Sequence, residues 1–139
     1  MPANKHRIAI IAGDGIGPEV VPEGLRVLDE AGRKFGIGFS FDHFAWCSQH
    51  FVQYGTMMPN DWKGQIGGHD AIYFGAVGAP DIVPDHTAVW ESLIKIRRGF
   101  DQYVNLRPAR LMPGIPTPLA NRQPGDIDML VVRENTEGE

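Results

Sequence analysis

The chain has 139 residues, 42% of them hydrophobic, a formal net charge of −4 and one cysteine. That length suits about one domain with a real core, the acidic balance without a basic run excludes nucleic acid as the expected partner, and the apolar stretches are too short to span a bilayer. Cys47 alone cannot form an internal disulfide and MPANKHRIAI lacks a secretion signal, so the expected setting is soluble and cytoplasmic.

Ile8 to Ala12 form a continuous apolar run, the pattern of a strand buried on both faces of a parallel sheet. It runs into Gly13, Gly15 and Gly17, where the backbone can approach a ligand closely, and Pro18 suits the first turn of a helix. A dinucleotide fingerprint needs glycine where Pro18 stands, and a P-loop needs Lys followed by Ser or Thr; neither is present. Glu19 is favourable at the positive end of a helix but would repel a phosphate there, so this segment alone reads equally as an unliganded strand-to-helix turn.

Val21, Leu25, Leu28, Ala31 and Phe35 recur at helical spacing and predict one helix face laid on the sheet until Gly36 and Gly38. Phe39, Phe41, His43 and Phe44 predict a second strand, residues 48–54 a short helix, and residues 58–65 another, capped by Asn60 or Asp61. Ala71 to Gly75 reads as the next buried strand and empties into a second glycine turn, GAVGAP. In PDHTAVWESLIKIRRGF, Thr87 is the expected helix cap, with Val89, Leu93 and Ile96 as an apolar stripe and Arg97 near the C-terminus. Residues 103–111 and 129–133 predict two more strands, Pro108 placing the first at an edge or bulge, with a proline-rich loop between. The alternation implies an α/β fold with a mainly parallel sheet covered by helices. The ENTEGE tail offers no apolar partner for the layer opened by the strand before it, which suggests a fragment.

Arg97, Arg107 and Arg133 come from a helix, a strand and a strand end, and a guanidinium presents a planar fork of donors that matches a carboxylate. Three converging would fit a small dicarboxylic acid, although each taken singly reads as a solvated surface charge. Arg98 should face another side of its helix. The five histidines show no ligand spacing, and no HExxH, CxxC or GxSxG arrangement occurs, so zinc and hydrolase chemistry find no support. Trp90 reads as core, or as the wall of a cleft beside GAVGAP. Asp81, Asp85 and His86 read as loop residues.

GDGIGPE at 13–19, GAVGAP at 75–80, RRGFDQYVNLRP at 97–108 and VVRENTEGE at 131–139 together resemble the N-terminal part of the β-hydroxyacid oxidative decarboxylases. That family comprises the isocitrate, 3-isopropylmalate, tartrate and D-malate dehydrogenases, and the resemblance covers essentially the whole chain. It implies an isocitrate/isopropylmalate dehydrogenase-like fold, not a Rossmann fold, incomplete here. Residues 1–100 would begin the large cofactor-binding domain and residues 101–139 the substrate and dimerisation domain. By the same resemblance Arg97, Arg107 and Arg133 grip the substrate carboxylates, Leu93 lies beside the substrate, and Ile16, Gly78, Ala79, Pro80 and Trp90 line the nicotinamide cofactor.

PDHTAVWESLIKIRR and DQYVNLRPARL look most like the tartrate/D-malate branch. Trp90 stands where isopropylmalate enzymes carry a glutamate. Glu91 and Leu93 stand where isocitrate enzymes place a serine and an asparagine, and Glu91 would repel a third carboxylate. The resemblance therefore implies NAD-dependent oxidation of D-malate or tartrate with Mg²⁺ or Mn²⁺, followed by loss of CO2, in a homodimer. The family's tyrosine, lysine and metal-binding aspartates would lie beyond Glu139, so the fragment itself should be inactive. Isopropylmalate or isocitrate specificity, or a non-catalytic dicarboxylate-binding or regulatory subunit, are the alternatives.

Overall fold

The computed structural model describes residues 5–135, which divide into two compact units between Ile96 and Arg97. The first unit is built on a three-stranded parallel sheet of order β2-β1-β3, from β1 (Lys5–Gly13), β2 (Gly38–His43) and β3 (Ala71–Ala76). The register sets Ile8 against Phe41 on one side and Ala71 on the other, so β1 is hydrogen-bonded along both edges. Ile8, Ala9, Ile10 and Ile11 are all buried, as their unbroken apolar run predicts for a central strand.

Helix α1 (Gly17–Phe35) starts with proline in its first turn and ends at Gly36, whose φ of 69° stops the helix in the left-handed conformation. Val21 of α1 joins Ile8 and Ile10 in a core to which Leu25, Phe39, Phe41 and Tyr73 add partly buried rings and branches. Each fully buried aliphatic side chain in such a cluster contributes about 1.5–3 kcal/mol. The helical stripe ends one turn earlier than the spacing predicts: Phe35 is 68% exposed, because it stands at the end of α1, where its ring takes the Lys34 ammonium 5.3 Å from the centroid instead of core neighbours.

Helix α2 (Ser48–Tyr54) forms where expected, whereas α3 spans only Trp62–Ile66. Met57 and Met58 are buried at 1% exposure each, and Pro59 follows them, so this stretch serves the core as irregular chain instead of starting the helix. Asp61 occupies the cap position of α3 but its carboxylate accepts from the Gln65 side chain at 3.0 Å and caps no backbone N–H.

The next helical segment starts at α4 (Asp85–Val89), with Pro84 and not Thr87 at its cap, since Pro84 with φ −54° and ψ 136° leaves the chain extended up to Asp85. Asp85 and His86 thus sit in a helix, not in a loop. A π-helical turn, Trp90–Ile94, interrupts the α-helix before α5 (Lys95–Gly99), and Ser92, buried in that turn, donates its hydroxyl to the Ala88 carbonyl at 2.5 Å. Such turns shift the phase of the residues that follow.

The second unit is an antiparallel hairpin of β4 (Val104–Arg110) and β5 (Asp128–Glu134). Pro108 lies opposite Leu130 in a strand with one neighbour, the edge placement that a missing N–H requires. The proline-rich connection between the strands is irregular, as expected. Among the described residues no helix is long and apolar enough to cross a membrane.

Candidate functional site

In the first unit the strand-to-helix turn after β1 is held by backbone geometry that only glycine allows. Gly13 has φ +73°, and a Cβ there would lie 1.8 Å from the Ala76 carbonyl oxygen. The Asp14 amide then donates to that same carbonyl at 2.8 Å, which ties the first glycine turn to the end of β3.

Asp14 itself is buried, 7% exposed, and its carboxylate accepts three hydrogen bonds. Oδ1 takes the Ser48 N–H at 2.8 Å, while Oδ2 takes the Ser48 hydroxyl at 2.9 Å and the Gly78 N–H at 3.2 Å. Three donors offset the desolvation of a buried carboxylate. Sequence reasoning passed over Asp14; the available signal was an acid enclosed by glycines at the end of a buried strand, where solvation is scarce.

Ile16, in the first glycine turn, is 61% exposed, an apolar side chain presented to solvent. Gly78, Ala79 and Pro80 follow β3, and Ala79 forms an isolated antiparallel bridge with Val83 that closes the second turn on itself. Trp90 is 55% exposed on the π turn, so it is a surface side chain and its core reading falls, because the turn leaves most of its indole outside the sheet. Leu93 is half-buried on the same turn, and Glu91 Oε2 accepts from the Met57 N–H at 3.4 Å.

The three singled-out arginines all belong to the second unit, and the structure brings them together. Asn105 pairs with Arg133 and Arg107 with Val131 across the hairpin. Residues opposite one another in an antiparallel ladder share a face, as do residues two apart, so Arg107 and Arg133 project from the same side. The Gln102 N–H donates to the Arg97 carbonyl at 2.8 Å, which folds the end of α5 back toward the start of β4.

The Arg97 guanidinium is held below the ordinary arginine value, first because burial strips it of water and then because Arg133 and Arg107 add positive charge nearby. Arg97, Gln102, Val104, Asn105, Leu106 and Asn135 line a cleft of about 460 Å³. Asn105 donates to the Asn135 side-chain oxygen at 3.4 Å, and Asn135 donates to the Gln102 carbonyl at 3.3 Å, so neutral amides form one wall.

Four other arginines are matched by acids: Arg7 by Asp42, Arg26 by Glu23, Arg33 by Glu30 and Arg110 by Asp128. None of Arg97, Arg107 and Arg133 has a carboxylate partner among the described residues. Of the three, only Arg97 lines that cleft; Arg107 and Arg133 are close enough to add their positive charge to it. Leu93 and the turn residues lie in the other unit. Among the described residues no three His, Cys, Asp or Glu side chains gather as a metal site.

The chain is 61% identical over its full length to a tartrate dehydrogenase/decarboxylase of Pseudomonas putida, and 62% identical over 96% of its length to a D-malate dehydrogenase (decarboxylating) of Escherichia coli strain K12. It spans 38% and 37% of those curated relatives, respectively. Among solved structures, an isocitrate dehydrogenase from Methylococcus capsulatus matches 96% of the chain with 35% of its own length, at a TM-score of 0.74 and 26% identity. A β-decarboxylating dehydrogenase from Thermococcus kodakarensis matches 96% of the chain with 35% of its own, at a TM-score of 0.66 and 30% identity. With residues 7–139 matching the family profile described as isocitrate/isopropylmalate dehydrogenase, the chain belongs to that family.

Proposed function

We propose that this chain is the N-terminal portion of an NAD-dependent, metal-requiring enzyme that oxidatively decarboxylates D-malate or tartrate. The observation that carries the reading is the cluster of Arg97, Arg107 and Arg133, which have no acidic partner among the described residues. The similarity to tartrate and D-malate dehydrogenases supports the branch.

The arginines hold the two carboxylates and so fix the C2–H bond of the 2-hydroxy acid in one direction, which an untethered substrate would not maintain. NAD, when bound, accepts the hydride from C2. Loss of the carboxyl group beta to the new ketone then yields CO2, with pyruvate as the product from D-malate. Each carboxylate that stays paired with a guanidinium keeps its charge balanced while the neighbouring bond breaks.

The glycine turns suit a dinucleotide because they expose backbone and the apolar Ile16 side chain, against which a planar ring can lie. In this reading Ile16, Gly78, Ala79, Pro80 and Trp90 line the cofactor and Leu93 the substrate. Residues 1–100 begin the cofactor-binding domain and residues 101–139 the substrate and dimerisation domain. The tyrosine, the lysine and the ligands for Mg²⁺ or Mn²⁺ lie in the continuation, and a second subunit of a cytoplasmic homodimer completes each site.

The test is NADH formation by the complete gene product with D-malate, tartrate, 3-isopropylmalate and isocitrate in the presence of Mg²⁺ or Mn²⁺. Turnover of D-malate or tartrate is expected. Preference for one of the other two reassigns the substrate, and dicarboxylate binding with no turnover of any of the four replaces the enzyme by a binding or regulatory subunit.

A further inference from the structure

The carboxylate of Asp14 joins three places distant in sequence: its own glycine turn, the first residue of α2, and Gly78 in the second glycine turn. The Ser48 and Gly78 bonds span 34 and 64 residues. Gly78 has φ +127°, a conformation that glycine reaches without strain but does not by itself hold, so a hydrogen bond to its N–H narrows the shapes the second turn can take. The acceptor is Oδ2 of Asp14. The Asp14 amide adds a second tie, to Ala76, two residues before Gly78.

We infer that Asp14 is a positioning residue for the dinucleotide: its buried carboxylate locks the second glycine turn in the shape that receives the cofactor before the cofactor arrives. Asp14 does not touch the ligand. It works through Gly78, and the inference rests on the dinucleotide reading given above. A turn already held in its binding shape loses less conformational freedom when ligand binds, which lowers the dissociation constant without altering the chemical step.

The chemistry supplies a selective probe. Asp14→Asn replaces one carboxylate oxygen by an NH₂ group. The orientation that keeps the shorter bond leaves the Ser48 N–H on the remaining oxygen. The Ser48 hydroxyl can reverse and accept from the new NH₂, whereas the Gly78 N–H cannot reverse and loses its acceptor. Ser48→Ala is the matching control, since it removes the hydroxyl and keeps the Gly78 bond.

In the complete protein, Asp14→Asn should raise KM for NAD roughly tenfold, while kcat at saturating NAD and KM for the hydroxy acid stay within about twofold. Ser48→Ala should lower thermal stability and leave KM for NAD unchanged. Hydrogen exchange gives a readout free of turnover: with no nucleotide present, the Gly78 amide should exchange slowly in wild type and at least roughly tenfold faster in Asp14→Asn.

Wild-type turnover by itself tests the dinucleotide reading. The inference is overturned if wild type turns over NAD while Asp14→Asn leaves its KM unchanged, or if Ser48→Ala raises KM as much as Asp14→Asn does. Rapid exchange of Gly78 in the wild type overturns it even where Asp14→Asn does not fold.

Discussion

Asn105 of β4 lies directly across from Arg133 of β5, and this one pairing puts the Arg133 guanidinium on the same side of the hairpin as Arg107. A register slipped by one residue would turn the two arginines to opposite faces. The hairpin register is therefore as much a part of the proposed anion site as the arginines are.

Replacing Arg107 or Arg133 by Gln in the complete protein should raise KM for the dicarboxylate by about 10–100-fold, the loss of one charge-assisted pair, with KM for NAD within about twofold. Initial rates with each substrate varied in turn check this. Equal rises in both constants would point to a general disturbance of the fold.

The same substitutions should leave the unliganded protein as stable as wild type or more so. Arg97 is already pressed by the charges of Arg133 and Arg107, so removing one of them relieves repulsion. Thermal unfolding with and without dicarboxylate should show wild type gaining the larger upward shift on binding. A marked fall in the midpoint of the unliganded variant would contradict the arrangement.

Asp42 should contribute an acid limb to stability. The Arg7 guanidinium first, and the His69 ring second, hydrogen-bond its carboxyl and hold it below the usual 3.8. A carboxyl whose folded value is depressed stabilises the fold at pH above the unfolded value, and that contribution disappears as pH falls through 3.8 to the lower folded value. The gap in thermal midpoint between wild type and Asp42→Asn should thus stay constant at neutral pH and narrow in acid. A gap that does not change with pH would remove the carboxylate from the account.

Gly13→Ala should destabilise the protein by at least about 2 kcal/mol, since it combines a strained positive φ with a clash against backbone. Ile10→Ala, deleting a side chain that is 1% exposed, should cost about 2–5 kcal/mol, against under about 0.5 kcal/mol for Val27→Ala at 69% exposure. Denaturant unfolding of the three variants orders them.

Much of the architecture was legible because its signals are local. The apolar run of β1, the five-turn spacing of α1 with its glycine stop, and α2 at Ser48–Tyr54 all follow from neighbouring residues. The errors fell at burial, at a proline and at a π turn, none of which the helical spacing encodes. Met57 and Met58 are drawn into the core as irregular chain, and Pro84 displaces Thr87 as the cap of α4. Trp90 is exposed by a π turn that helical spacing does not encode. The arginines were found by residue type and motif, but their meeting place was not: nothing in the spacing of 97, 107 and 133 specifies a strand register.

The sequence by itself determined the order of strands and helices, the glycine turns and which side chains could serve the proposed anion site, since backbone conformation and side-chain chemistry are properties of a residue and its near neighbours. Only the tertiary structure decided that Arg107 and Arg133 share a face and that Asp14 reaches both Ser48 and Gly78. Those relations depend on closing loops of tens of residues, whose entropy is offset by burial and pairing across the whole unit and not by any segment alone.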